Sequence, residues 1–177
     1  ALSAVALSLT LLLTTFPILK MGNVKAVGEP ESIVYWDGVT KTEPKAASPE
    51  NPGTAANPYL ISTPAELAWL VNYSITAGNE TAGKYYALTN DIYLNKVSGT
   101  TFETTYNWFH SNTETNNFKG TFDGCGYVIY GLYFNDTSSR RSGLFPNLGT
   151  GAVIKNVGID NAYINVGSEA TEVQQVQ

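Results

Sequence analysis

Apolar and polar positions divide the chain into four stretches of different character. Residues 1 to 19, ALSAVALSLTLLLTTFPIL, are apolar apart from small hydroxyl residues and Pro17. Lys20 follows, and Val24 and Ala26 place small residues at the −3 and −1 positions of a cleavage site, so residues 1–26 are expected to be a signal peptide. A retained anchor is the alternative, because the run approaches the ~20 residues that span a bilayer. The positively charged start of a signal peptide is missing before Ala1, which predicts that the chain is a piece of a longer reading frame. Residues 27–58 carry Pro30, Pro44, Pro49, Pro52 and Pro58 among Gly, Ser, Thr and Glu. They read as an extended linker or lead-in.

The third stretch changes period. YLI at 59–61 is strand-like, and STPAE then starts a helix, with Thr63 as cap, Pro64 at the first helical position and Glu66 completing a capping box. Leu67, Leu70, Val71 and Ile75 recur at helical spacing, and Gly78 is placed to end the helix. From Lys84 onward Tyr, Val, Ile, Thr and Phe alternate with Gly and Asn, the composition of strands and turns, and no second helix is expected.

Within that last stretch the pattern repeats. Gly126, Val128, Ile129, Leu132 and Phe134 match Gly151, Val153, Ile154, Val157 and Ile159 at one constant shift. That shift, about 25 residues, falls in the range of solenoid repeats. Ile129 to Leu132 is an odd step that would put the two side chains on opposite faces of a straight strand, so burying both requires a bend. Gly131 in one copy and Asn156 in the other supply it, being the residue types that most readily take positive φ. A looser copy runs through Leu88, Asn90, Ile92 and Leu94 with Asp91 as one extra residue. Three copies of a unit of strands and bends predict a solenoid of parallel strands. The helix from Pro64 would cap its first coil, and further coils are expected beyond Gln177.

On these residues the chain resembles the right-handed β-helix (pectin-lyase-like) repeat regions of large bacterial surface proteins, including those with GLUG-type repeats. The matching stretches are GTAANPYLISTPAELAWL, YYALTNDIYL, FKGTFDGCGYVIYGLYF and SGLFPNLGTGAVIKNVGI, which span most of residues 53–164. Cys125 stands where such repeats carry Asn, and Pro146 where they carry Gly. The resemblance implies an all-β, right-handed parallel β-helix with an N-terminal capping α-helix, truncated at its C-terminal end and occupying residues 59–177. It also implies a secreted or cell-surface, wall-attached protein. It is unspecific for activity, because the fold hosts both adhesins and polysaccharide-cleaving enzymes.

Charge and cysteine content narrow the chemistry. The net charge is −5 and the ten Lys and Arg residues are scattered, so no basic stripe is present to meet phosphates, and nucleic acid is not an expected partner. One Cys and one His exclude an internal disulfide and a Cys/His zinc site. Asp91, Asp123 and Asp160 occupy turn positions beside Asn or Gly, where Asp serves local hydrogen bonding. Stacked on one face they would alternatively bind calcium, the one cofactor this pattern suggests, or act as a glycosidase acid and base. Arg140 and Arg141, adjacent on a strand, would point to opposite sides, and any Ser-His-Asp set would have to run through His110, which reads as an exposed loop residue. Cys125 reads as a small buried packing residue without a basic neighbour to lower its pKa.

Tyr93, Tyr130 and Tyr133 alternate with the inward residues and should project outward, where aromatic rings are good strand formers and can also contact sugars. The expected function is therefore a non-catalytic adhesion surface for polysaccharide or for host glycan or matrix, with no membrane span left after signal cleavage. A polysaccharide lyase or hydrolase with its catalytic coils beyond Gln177 is the alternative, and a structural stalk a further one.

Overall fold

The computed structural model describes residues 32–167. The expected signal peptide and the first residues of the lead-in lie outside the described residues, as does the end of the chain past Gly167. The described part is mostly β with one helix. In chain order it runs β1 (Lys45–Ala46), β2 (Tyr59–Ile61), α1 (Pro64–Ile75), β3 (Tyr85–Leu88), β4 (Ile92–Tyr93), β5 (Val97–Ser98), β6 (Thr101–Phe102) and β7 (His110–Ser111). It continues with β8 (Thr121–Asp123), β9 (Val128–Tyr130), β10 (Tyr133–Asp136), β11 (Arg141–Ser142), β12 (Val153–Lys155), β13 (Gly158–Asp160) and β14 (Tyr163–Val166).

The helix begins where its capping signal predicts. The Thr63 hydroxyl accepts from the Glu66 N–H, and the Glu66 carboxylate accepts from the N–H groups of Ser62 and Thr63 and from the Ser62 hydroxyl. Such a box satisfies donors that the first turn leaves orphaned, and losing the cap costs about 1 kcal/mol. Leu67, Ala68, Leu70 and Val71 are fully buried, so one face of the helix joins the core.

The sheets are small and mixed. The largest has the order β1-β2-β3-β8-β12, with β1 antiparallel to β2 and every other pair parallel. A second, β4-β9-β13, is wholly parallel, as is the pair β10-β14. The connecting segments add two antiparallel ribbons, β5-β6 and β7-β11. Like side chains meet across the parallel pairs: Tyr86, Phe122 and Ile154 form one column, and Ile92, Ile129 and Ile159 another. Leu88, Ile92 and Leu94 are all buried, as their alternation predicts.

The register corrects the constant shift. Ile154 pairs with Phe122 rather than with Ile129, and Ile129 pairs with Ile159, so both steps are longer than the one from Ile129 to Ile154. The step from Ile92 to its partner Ile129 is longer still. Val128–Tyr130 and Val153–Lys155 resemble each other because each is a short apolar strand running into a bend, but they belong to different sheets. Both expected bends exist, with φ of 72° at Gly131 and 53° at Asn156. The Gly131 N–H donates to the Asp160 carbonyl (3.0 Å), and the residue after Asp160, Asn161, is also at positive φ. Asn156 instead accepts from Gly126 in the turn after β8 (2.8 Å). Asn90, the third expected bend, turns without positive φ.

Residues expected as a lead-in are tied to the fold. Trp36 is 4% exposed, its ring 5.0 Å from Trp108, and its backbone N–H donates to the Tyr93 carbonyl. The segment 107–117 is likewise pinned: the Trp108 indole donates to Leu144, and the buried Asn147 amide donates to Ser111, Thr113 and Asn116.

Candidate functional site

Parallel pairing in register brings equivalent outward side chains to neighbouring positions about 4.8 Å apart, close enough for rings to stack. Tyr93 and Tyr130 do so, with centroids 4.9 Å apart and planes within 8°, and Tyr35 extends the column edge-on at 5.9 Å. Tyr133, grouped with them by the sequence, belongs to a second column on β10-β14, where it stacks on Tyr163 at 5.2 Å with Phe102 tilted against it. The bend at Gly131 separates Tyr130 from Tyr133. Tyr35, Phe102 and Tyr163 were not legible as members, because each becomes a neighbour only through a register of unequal loops.

Face-to-face stacking occupies the inner ring faces and leaves edges and hydroxyls to solvent. The outer face of Tyr130 looks toward its register partner Asp160, and that of Tyr163, 44% exposed, has no strand beyond it among the described residues. The Tyr93 phenol is pushed up first by burial, then by Asp91 and its two neighbouring tyrosines, so it remains a neutral hydroxyl donor.

The three turn acids are committed to backbone and neighbouring strands. Asp91 accepts from the Val128 N–H (2.9 Å) and Asp160 from the Asn161 N–H (2.8 Å). Asp123 accepts from the Cys125 N–H (2.9 Å), the Asn156 amide (3.0 Å) and the Lys155 ammonium (3.0 Å). Among the described residues no three His, Cys, Asp or Glu side chains converge as a metal site would require.

Asp123 is held down from 3.8 to about 2, first by the Cys125 N–H and then by Asn156 and Lys155, against a desolvation that works the other way. A carboxylate lowered in the folded state stabilises it above the unfolded pKa, and that contribution is lost as pH falls through the folded one. Urea midpoints measured against pH should therefore fall between about pH 4 and 2 less steeply in Asp123→Asn than in the parent. Parallel curves for the two proteins would remove Asp123 from the acid transition.

Cys125 departs from its expected burial. It is exposed, in the left-handed conformation (φ 52°) between two glycines at the tip of the turn after β8. Partial desolvation first, and then the Asp123 charge, push its thiol up, the reverse of what a thiolate nucleophile needs. His110 is exposed on β7 with its ring 5.6 Å from Phe134. The Ser138 and Ser139 hydroxyls donate directly to Asp136, and no hydrogen bond joins them to His110 among the described residues. Arg141 pairs with Glu114, and the Arg140 N–H faces the Asn112 side chain at 3.5 Å.

No family model and no solved structure matches the chain. It is 32% identical over 120 residues to a provisionally named Gly-rich membrane protein of Evansella cellulosilytica, covering 64% of this chain and 12% of that one. It is 30% identical over 123 residues to halomucin of Haloquadratum walsbyi, covering 66% of this chain and 1% of that one. The chain thus spans a small fraction of either relative. The first name is compatible with a location at the cell surface, and no helix among the described residues is long and apolar enough to cross a membrane.

Proposed function

We propose that residues 59–167 are the capping helix and first coils of a right-handed parallel β-helix within a longer secreted or surface-attached protein, and that this part is a non-catalytic surface for glycan or matrix. The observation that carries the adhesive reading is the pair of outward aromatic columns, Tyr35-Tyr93-Tyr130 and Phe102-Tyr133-Tyr163. They present repeated phenol edges and hydroxyls along parallel strands, an arrangement suited to a repetitive polymer.

The winding is supported by the order of the pairings. The chain passes through β8, β9 and β10 and then through β12, β13 and β14, each new strand parallel to its counterpart in the earlier pass. Right-handedness is the strong preference of parallel crossover connections. The helix, one face buried in the core beside β2, the second strand from one edge of the largest sheet, suits a cap that shields a first coil. The commitment of Asp91, Asp123 and Asp160 to structural hydrogen bonds favours a surface over an enzyme within this part of the chain.

Cosedimentation with a panel of insoluble polysaccharides, together with binding to immobilised matrix proteins, tests the reading. The expected result is retention on at least one of them, weakened about tenfold in a Tyr130→Ala, Tyr163→Ala double variant. A parent protein that stays in the supernatant throughout would favour a stalk.

A further inference from the structure

Three segments carry the pattern Asn-x-Ser/Thr: Asn72-Tyr73-Ser74, Asn79-Glu80-Thr81 and Asn135-Asp136-Thr137. In an exported chain this pattern is the acceptor for an N-linked glycan, with the side-chain amide nitrogen as the attachment atom. The pattern is short, so what separates the copies is how the fold presents the amide and the hydroxyl two residues on. The first two are closed. Asn72 lies within α1, and the Ser74 hydroxyl is buried and donates to the Val71 carbonyl (2.8 Å). Asn79 is exposed after the helix, but its amide donates to the Tyr73 carbonyl (3.2 Å). Thr81 is 1% exposed, and its hydroxyl oxygen accepts from the Lys119 N–H (2.8 Å). Reaching either hydroxyl would require opening the fold.

The third copy is open. Asn135 lies in β10 and Thr137 just past its end, two positions apart and so on one face of the extended chain. Both are exposed. The Asn135 side-chain oxygen accepts from the Asn165 amide of β14 (2.9 Å), and its backbone N–H donates to the Asn107 side chain (2.8 Å). Its amide nitrogen and the Thr137 hydroxyl make no hydrogen bond among the described residues. N-linkage replaces one hydrogen on that nitrogen and keeps the oxygen, so a glycan would leave the contacts to Asn107 and Asn165 in place.

We propose that Asn135 is a site of N-glycosylation, modified on the folded chain by transfer from a lipid-linked glycosyl phosphate. The Asn135 nitrogen forms a bond to the anomeric carbon as the bond from that carbon to the phosphate oxygen breaks. One amide proton passes to a base of the transferase, and the lipid phosphate leaves. The proposal rests on the secreted or surface location in the reading above, and not on the coil winding or the aromatic columns.

Peptide mass mapping of the protein purified from its source cells, separated into cytoplasm, envelope and medium, tests it. The expected result is a glycan mass on the Asn135 peptide in the surface or secreted fraction, with the Asn72 and Asn79 peptides bare. Thr137→Ala expressed in the same cells should lose the modification and Thr137→Ser should keep it, a split that a structural effect at an exposed position would not produce. A second readout uses the purified full chain with an Asn-x-Ser/Thr-specific oligosaccharyltransferase and a lipid-linked oligosaccharide. The folded chain should be modified at Asn135 alone, whereas short peptides spanning the three segments should all be accepted. A bare Asn135 in protein found at the surface, modification at Asn72 or Asn79 instead, or a glycan retained in Thr137→Ala would overturn the proposal. Protein found only in the cytoplasm, with Asn135 bare, would overturn the surface location along with it.

Discussion

Phe122→Ala should destabilise the protein by about 3–5 kcal/mol, a large share of the roughly 5–15 kcal/mol that holds a domain of this kind folded. Phe122 is fully buried in β8, with Tyr86 of β3 and Ile154 of β12 as its register partners on either side. Its ring meets Phe145 edge-on at 5.4 Å, and Phe145 stacks on Phe118 at 4.3 Å. Truncation would leave a void lined by neighbours on the two flanking strands and by Phe145 of the segment before β12, and close-packed parallel strands cannot move together to fill it without breaking their hydrogen bonds. Thr121→Ala, on the opposite face of the same strand, should cost under about 1 kcal/mol.

Ile154→Ala provides the internal comparison. Ile154 occupies the same column but is only partly buried, because β12 has a partner on one side alone among the described residues. Its truncation should cost clearly less than that of Phe122, in proportion to the area it hides. Denaturant midpoints for the three variants give the ranking. Equal costs at 122 and 154 would mean that other chain covers β12, and a Phe122→Ala protein within about 1 kcal/mol of the parent would contradict the packing described for this column.

Local signals were legible in the sequence and long-range ones were not. The Thr63–Glu66 box placed the helix start at Pro64, and the odd step from Ile129 to Leu132 placed a bend at Gly131, because both are decided by residues a few positions apart. Register is decided by what lies between strands, and here that length varies: the β5-β6 ribbon and the segment to Phe118 put more chain between Ile92 and Ile129 than lies between Ile129 and Ile159. A constant shift therefore aligned one side of the fold with another. The same variable loops hid Tyr163 behind Tyr133 and Tyr35 ahead of Tyr93. The burial of Trp36 was not legible because the apolar run Ile33–Trp36 is too short to show which of its side chains turn inward, and Ile33 and Val34 in fact face solvent.

A series of three glycine substitutions should separate the two reasons a glycine can be required, with Gly131→Ala the most damaging of the three. Gly126 lies at φ 87° with open space where a Cβ would stand, so Gly126→Ala bears only the cost of the left-handed conformation, about 1–2 kcal/mol. Gly124 does not lie at positive φ, but a Cβ there would come within 2.5 Å of the Asn156 carbonyl oxygen and of the Val157 side chain, so its cost is steric alone. Gly131 combines both: φ is 72°, and a Cβ would stand 2.3 Å from the Asn95 carbonyl oxygen and 2.9 Å from its nitrogen. Nothing at that point can yield cheaply. Asn95 is buried and clamped, its amide donating to the carbonyls of Gly131 and Tyr106 and its side-chain oxygen accepting from Tyr106 and Thr104. Displacing it would unpair several buried polar groups at once, which places Gly131→Ala at upward of about 3 kcal/mol. Unfolding midpoints should therefore order as Gly126→Ala least affected, Gly124→Ala intermediate and Gly131→Ala lowest. If Gly131→Ala fell no further than Gly126→Ala, the bend would be a matter of φ alone, and the close passage of residue 95 against residue 131 would have to be abandoned.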